Sequence, residues 1–145
     1  DIDAYDYMTG REVYADTVAH QGICPEGWHI PRMSEFETLK KNASTDAYPA
    51  KHLCLDHRSN GYCDNSTGFA AIGAGVYRVG ATAAEDPYKA VDETAAFWLA
   101  NNKLATGGTT KFLASDFYIQ MPWGVLQSED DGYHTDGLSV RCVKD

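Results

Sequence analysis

Cys24-Pro25-Glu26-Gly27-Trp28-His29-Ile30-Pro31-Arg32-Met33-Ser34-Glu35-Phe36 places a cysteine, a turn, a short apolar extended piece and a helix start in one stretch. Pro25 and Gly27 mark a tight turn, and Ile30, preceding Pro31, is biased away from helix. Ser34 then opens a helix as a capping box. Its hydroxyl accepts the Glu37 amide while Glu37 reaches back, and Glu35 and Glu37 suit the positive end of the helix dipole. Phe36, Leu39 and Ala43 recur at helical spacing, and Lys40 and Lys41 suit the last turn. The pattern predicts one amphipathic helix of about ten residues.

This stretch resembles the CPEGWHxP signature of the Fibrobacter succinogenes major paralogous domain, a family of bacterial surface and secreted proteins. Four further pieces are similar in order: Gly10-Arg11-Glu12-Val13-Tyr14 to the family's GRLYTW, 68–78 to GFxALPAGYR, 96–100 to YWWSS, and 137–145 to GFSVRCVKD. The family's WMAENL segment is missing ahead of Gly10, Gly73 stands where Pro is usual, and Leu99-Ala100 replaces a Ser pair. The resemblance implies a fold like that of C-type lectins and formylglycine-generating enzymes, in a copy lacking the family's N-terminal segment.

The 145 residues suit a single domain, 1–145, able to bury roughly 68–70% of the unfolded chain's surface. No run of about 20 apolar residues is present to form a transmembrane segment. The chain starts without a basic-then-apolar signal region, so a leader has been removed or the sequence begins downstream of one. A formal net charge of −9 repels nucleic-acid phosphates, which excludes nucleic acid as the expected partner. Between Lys111 and Arg141 there is no Lys or Arg, whereas Asp116, Glu129, Asp130, Asp131 and Asp136 fall there. A solvated acidic surface is the simpler reading, and a cation-binding loop the sharper one.

Cys24, Cys54, Cys63 and Cys142 allow three pairings. Cys54 and Cys63 flank Asn60-Gly61, a hairpin turn signal, so they are expected to face each other. Cys24 then pairs with Cys142, as the long-range bridge of C-type lectin-like folds does. Disulfides imply an oxidising compartment, so the protein is expected to be secreted or at the cell surface.

Along the chain, Glu12-Val13-Tyr14 reads as a first strand paired with the last, which makes the termini neighbours. Residues 42–64 read as connection. Residues 68–80 read as a short strand among turns, 82–92 as loop, 95–100 as a buried strand and 101–110 as loop. Phe117, Ile119, Met121 and Trp123 alternate with Tyr118, Gln120 and Pro122, which is the period of a half-buried strand. Leu138, Val140 and Cys142 alternate likewise and predict a last strand with Cys142 on its core face. The class is α+β: a twisted antiparallel sheet, one or two helices, long loops and two disulfides. That agrees with the C-type lectin-like fold the resemblance implies.

Chemical constellations are sparse. His52, Cys54, His57 and Cys63 make a Cys2His2 set without zinc-finger spacing, and the disulfide reading competes for both cysteines. Ser139 lacks the second glycine of a nucleophile elbow and lies in strand-like sequence. No carboxylate pair is singled out for acid–base work. The resemblance to formylglycine-generating enzymes implies only the scaffold, since their chemistry needs reduced cysteines. No catalytic residue, metal ligand or cofactor is expected. The sequons Asn42-Ala43-Ser44 and Asn65-Ser66-Thr67 are incidental in a bacterial chain.

Trp28 and Trp98, in apolar runs, are expected in the core. Tyr88, Trp123, Tyr133 and His134 fall in polar sequence or at a strand end, where aromatic rings supply contact area with a polar handle. With Asp130 and Asp131 they form the expected ligand-binding set, on a face built from 82–92, 101–110 and 124–136. The aromatics can stack on a sugar ring and the carboxylates accept its hydroxyls. Asp130, Asp131 and Asp136 also offer oxygens to calcium, without an EF-hand spacing or the EPN and WND tripeptides of calcium-dependent lectins. The functional expectation is a non-catalytic binding or adhesion module for a glycan or protein ligand. The alternative is a self-assembling subunit or decoration of an extracellular filament or envelope, and a divergent enzyme comes third.

Overall fold

In a computed structural model of the chain, Phe117 and Ile119, continued by Met121, turn one side of a strand into the core, as their period of two dictates. The structure describes residues 21–43, 47–55, 62–79, 86–104, 112–121, 124–133 and 136–145, with backbone alone at 101–104, 112–115 and 129–133. The expected strand at Glu12-Val13-Tyr14 lies outside these residues.

The elements run β1 (Trp28–His29), α1 (Met33–Ala43), α2 (Pro49–Leu53), β2 (Val76–Tyr77), β3 (Tyr88–Lys89), β4 (Thr94–Leu104), β5 (Phe112–Gln120), β6 (Val125–Tyr133) and β7 (Val143–Lys144). β4, β5 and β6 form an antiparallel sheet in that order, while β1 pairs with β7 and β2 with β3, both antiparallel. The class is α+β with small antiparallel sheets, as expected.

Register places the core. Phe97 on β4 lies opposite Phe117 on β5, and the rings stack with centroids 5.0 Å apart. Phe36 of α1 also stacks on Phe117, at 5.0 Å, and Phe69 meets Phe97 edge-on at 5.8 Å. Such aromatic pairs contribute about 0.5–1.5 kcal/mol each beyond area burial. The Arg141 guanidinium covers the Phe69 ring at 4.4 Å.

α2 falls where plain connection is expected. Pro49 opens it with its fixed φ, and Ala50 and Leu53 are fully buried. Both disulfides have the expected partners: Cys54–Cys63 ties the end of α2 to a point nine residues on, and Cys24–Cys142 closes a separation of 118 residues.

Several expectations are corrected. α1 starts one residue before Ser34, and Glu35 rather than Glu37 reaches back: its carboxylate accepts the Arg32 amide at 2.8 Å. Arg32 is therefore the cap residue, with Glu35 in the third helical position that a capping box requires. Trp28 is 39% exposed, whereas its neighbour His29 is 4% exposed. Neighbouring strand residues face opposite ways, and carboxylates hold His29 inward: Asp145 Oδ1 is 2.6 Å from Nδ1, and Glu35 is 2.9 Å from Nε2. Trp98 is half-buried. The expected last strand shrinks to β7. Upstream of it, Ser139 forms one parallel bridge to Phe97, its amide bonded to the Ala96 carbonyl and its carbonyl to the Trp98 amide. Ser139 is thus a backbone prop for β4, and Cys142 is half-buried.

Candidate binding surface

The β2–β3 hairpin combines exposed aromatic surface with a fixed backbone. Val76 lies opposite Lys89 and Tyr77 opposite Tyr88. Paired residues share a face, so the two tyrosine rings meet, 5.3 Å between centroids and inclined at 64°. Both stay in contact with solvent, Tyr77 at 39% and Tyr88 at 59% exposure. Val79, two residues beyond Tyr77, is exposed as well.

Four features hold this pair in place. Tyr77 exchanges two backbone hydrogen bonds with Gly137, each 2.8 Å. A Cβ on Gly137 would come within 3.1 Å of the Tyr77 Cβ, a tight contact that would make Tyr77 give by a few tenths of an ångström. Gly75 has a φ of +71°, and a side chain on it would collide with the Lys89 carbonyl. The Asp86 carboxylate accepts the Tyr88 amide at 2.9 Å across Pro87, and the Pro87 carbonyl accepts the Arg78 amide at 2.9 Å. Just after β2, Arg78 Nη1 donates to Asp136 Oδ2, and the Val79 amide donates to Asp136 Oδ1 at 3.3 Å. Asp136 is buried and Arg78 half-buried, so the two charges offset each other beside the strand pair.

The family model of the Fibrobacter succinogenes major domain matches residues 4–144. The chain belongs to this family. Among curated proteins and among solved structures, none matches the chain. In this major domain, the segment resembling GFxALPAGYR supplies Gly75, Tyr77 and Arg78, and the closing segment supplies Gly137. Two family segments therefore meet at the hairpin.

Of the expected binding residues, Tyr88 lies on this surface. Trp123 and His134 lie outside the described residues. Residues 125–133 are not loop: they form β6, with Tyr133 opposite Leu113 and Gly132 opposite Ala114. Asp130 and Asp131 stand where the register shifts, two residues against Ser115 alone, which is the count of a β-bulge. β5 pairs through both of its backbone edges, with β4 and with β6, and this pairing overrides the polar composition of 125–133. Of the expected loop 101–110, residues 101–104 belong to β4 and the rest lie outside the described residues, and 82–92 contains β3.

Sequence reasoning missed Tyr77, Val79, Arg78 and the ion-paired role of Asp136. Val76 and Tyr77 are both apolar, so periodicity cannot say which one faces out. Asp136, a candidate calcium ligand by sequence, is committed to Arg78. Among the described residues, no three His, Cys, Asp or Glu side chains gather as a metal site. The Cys2His2 set is dissolved by the Cys54–Cys63 bridge, and His57 lies outside the described residues.

His52 lies near Ser66 and Asp64, which resembles a nucleophilic triad in composition. Both contacts fall on Nδ1, 2.9 Å from Ser66 Oγ and 3.2 Å from Asp64 Oδ1. A proton relay needs its two partners on opposite ring nitrogens. The group instead fastens the turn after Cys63: Asp64 accepts the Ser66 amide, and Thr67 donates to the His52 carbonyl. The Ser66 amide, ahead of the opposing effect of burial and with help from the Ser66 hydroxyl and His52, lowers the Asp64 pKa.

Proposed function

We propose that this major domain is an exported, non-catalytic binding module that takes a glycan on the Tyr77–Tyr88 surface. The carrying observation is the pair of exposed tyrosines on a hairpin whose backbone is already fixed. Stacking a sugar's apolar face on such rings orders few side chains, since tyrosine has two rotatable bonds and here each ring has its neighbour. Arg78, next to Tyr77 in the chain, and Asp136 offset each other's charge, which suits a neutral glycan. The overall charge of −9 disfavours anionic polysaccharides and also a second copy of the chain. Two disulfides support an oxidising compartment at the surface or outside the cell. The C-type lectin-like fold implied by the family is in keeping with this reading.

The test is retention on insoluble neutral polysaccharides, with release by soluble oligosaccharides of the same composition. A protein that ignores every such matrix but runs as a concentration-dependent multimer in gel filtration would sink the glycan reading in favour of assembly.

A further inference from the structure

His29 lies at a three-way junction remote in sequence from the tyrosine hairpin. It sits in β1 opposite Val143 of β7, and Asp145, two residues beyond Val143, falls on the same face as Val143. The Asp145 carboxylate meets Nδ1 at 2.6 Å. From the first turn of α1, Glu35 meets Nε2 with both oxygens, at 2.9 and 3.0 Å. Arg32 closes the group, donating to Glu35 Oε1 at 3.0 Å. The charged groups facing the imidazole are therefore Glu35, backed by Arg32, from the helix side, and Asp145 from the terminal segment.

A neutral imidazole carries one N–H and one lone pair. It can donate to one of these carboxylates, but it turns a lone pair on the other. Only the imidazolium donates to both. At 4% exposure, His29 leaves water little room to mediate the mismatched contact. With His29 and Arg32 positive and Glu35 and Asp145 negative, the cluster is neutral; loss of the imidazolium proton leaves it net negative.

We propose that His29, Glu35 and Asp145 form a pH-operated fastener, closed in mildly acidic medium and weakened in alkaline medium, that holds the segment after Cys142 against β1 and the start of α1. Burial opposes the charge on His29, but its hydrogen bonds to Asp145 and Glu35 and the negative charges of both outweigh it, so its pKa is raised. The sign follows. The contribution is fully present below the ordinary imidazole value of about 6.5 and is lost as pH rises through the folded value. The Cys24–Cys142 disulfide keeps the segment attached when the fastener weakens.

The experiment is thermal melting of wild type, His29→Gln and Asp145→Asn between pH 5 and 9, with the His29 ring of the wild type followed by NMR over the same range. Wild type should lose about 3 °C or more relative to His29→Gln on going from pH 6 to 9. Asp145→Asn should shrink that loss, and the wild-type ring should release its proton above pH 6.5. Parallel wild-type and His29→Gln curves would overturn the proposal. Should His29→Gln fail to fold, the ring titration and Asp145→Asn decide: a ring already neutral at pH 6, or an Asp145→Asn curve that keeps the full wild-type loss, overturns it.

Discussion

Tyr77 and Tyr88 face each other across a two-residue strand pairing, rings 5.3 Å apart, and both remain exposed, while Arg78, next to Tyr77 in the chain, neutralises a buried Asp136. The exposed pair and the buried charge are mechanically linked, because Tyr77 and Arg78 are chain neighbours and Gly137 follows Asp136.

Arg78→Ala should therefore be costly for a half-exposed residue. It leaves the Asp136 carboxylate buried with the longer Val79 amide hydrogen bond, and breaking such a pair from one side costs about 3 kcal/mol. Urea denaturation should give a midpoint clearly below wild type, whereas Asp136→Asn should be milder because no charge is stranded. Equal midpoints for Arg78→Ala and wild type would mean that the pair does not support the hairpin.

The two disulfides should differ in weight. In the chain-entropy account, a loop of more than about 100 residues contributes about 4.7 kcal/mol and a ten-residue loop about 2–3 kcal/mol. With separations of 118 and 9, removing Cys24–Cys142 as a double serine variant should lower the melting temperature more than removing Cys54–Cys63. The reverse order would show that the short bridge, at the end of α2, carries more than loop entropy.

Much of this scaffold is legible in the sequence where one physical signal acts alone. The alternation around Phe117 marks β5, the spacing of Phe36, Leu39 and Ala43 marks α1, and the hairpin signal at Asn60-Gly61 pairs Cys54 with Cys63, although those two turn residues lie outside the described ones. Legibility fails where a tertiary partner overrides composition. The acidic 129–131 joins β6 because β5 offers a second edge, and Trp28 turns outward because His29 is claimed by carboxylates from distant elements. At the hairpin, Tyr88 is legible as a loop aromatic, but Tyr77 is not, since its exposure depends on pairing with Gly137.

Glu35 should govern stability on the acid side. Burial raises its pKa, but hydrogen bonds from the Arg32 side chain and amide and from His29 outweigh this and lower it to about 2. A depressed carboxylate contributes stability that is present above its unfolded pKa near 4.5 and is lost as pH falls through about 2. Glu35→Gln should cost about 1–3 kcal/mol at pH 6 and flatten the acid limb of the stability curve between pH 4.5 and 2. Ser34→Ala should cost less than Glu35→Gln, since Arg32 and not Ser34 caps the helix. An acid limb as steep in Glu35→Gln as in wild type would contradict the assignment.

The most direct test of the binding account is affinity electrophoresis through a neutral polysaccharide that retains the wild type, comparing it with Tyr77→Ala/Tyr88→Ala under non-reducing conditions. The account predicts that the double variant, still folded and with both disulfides closed, migrates as it does in a gel without polysaccharide. Retardation of the folded double variant equal to that of the wild type would contradict it.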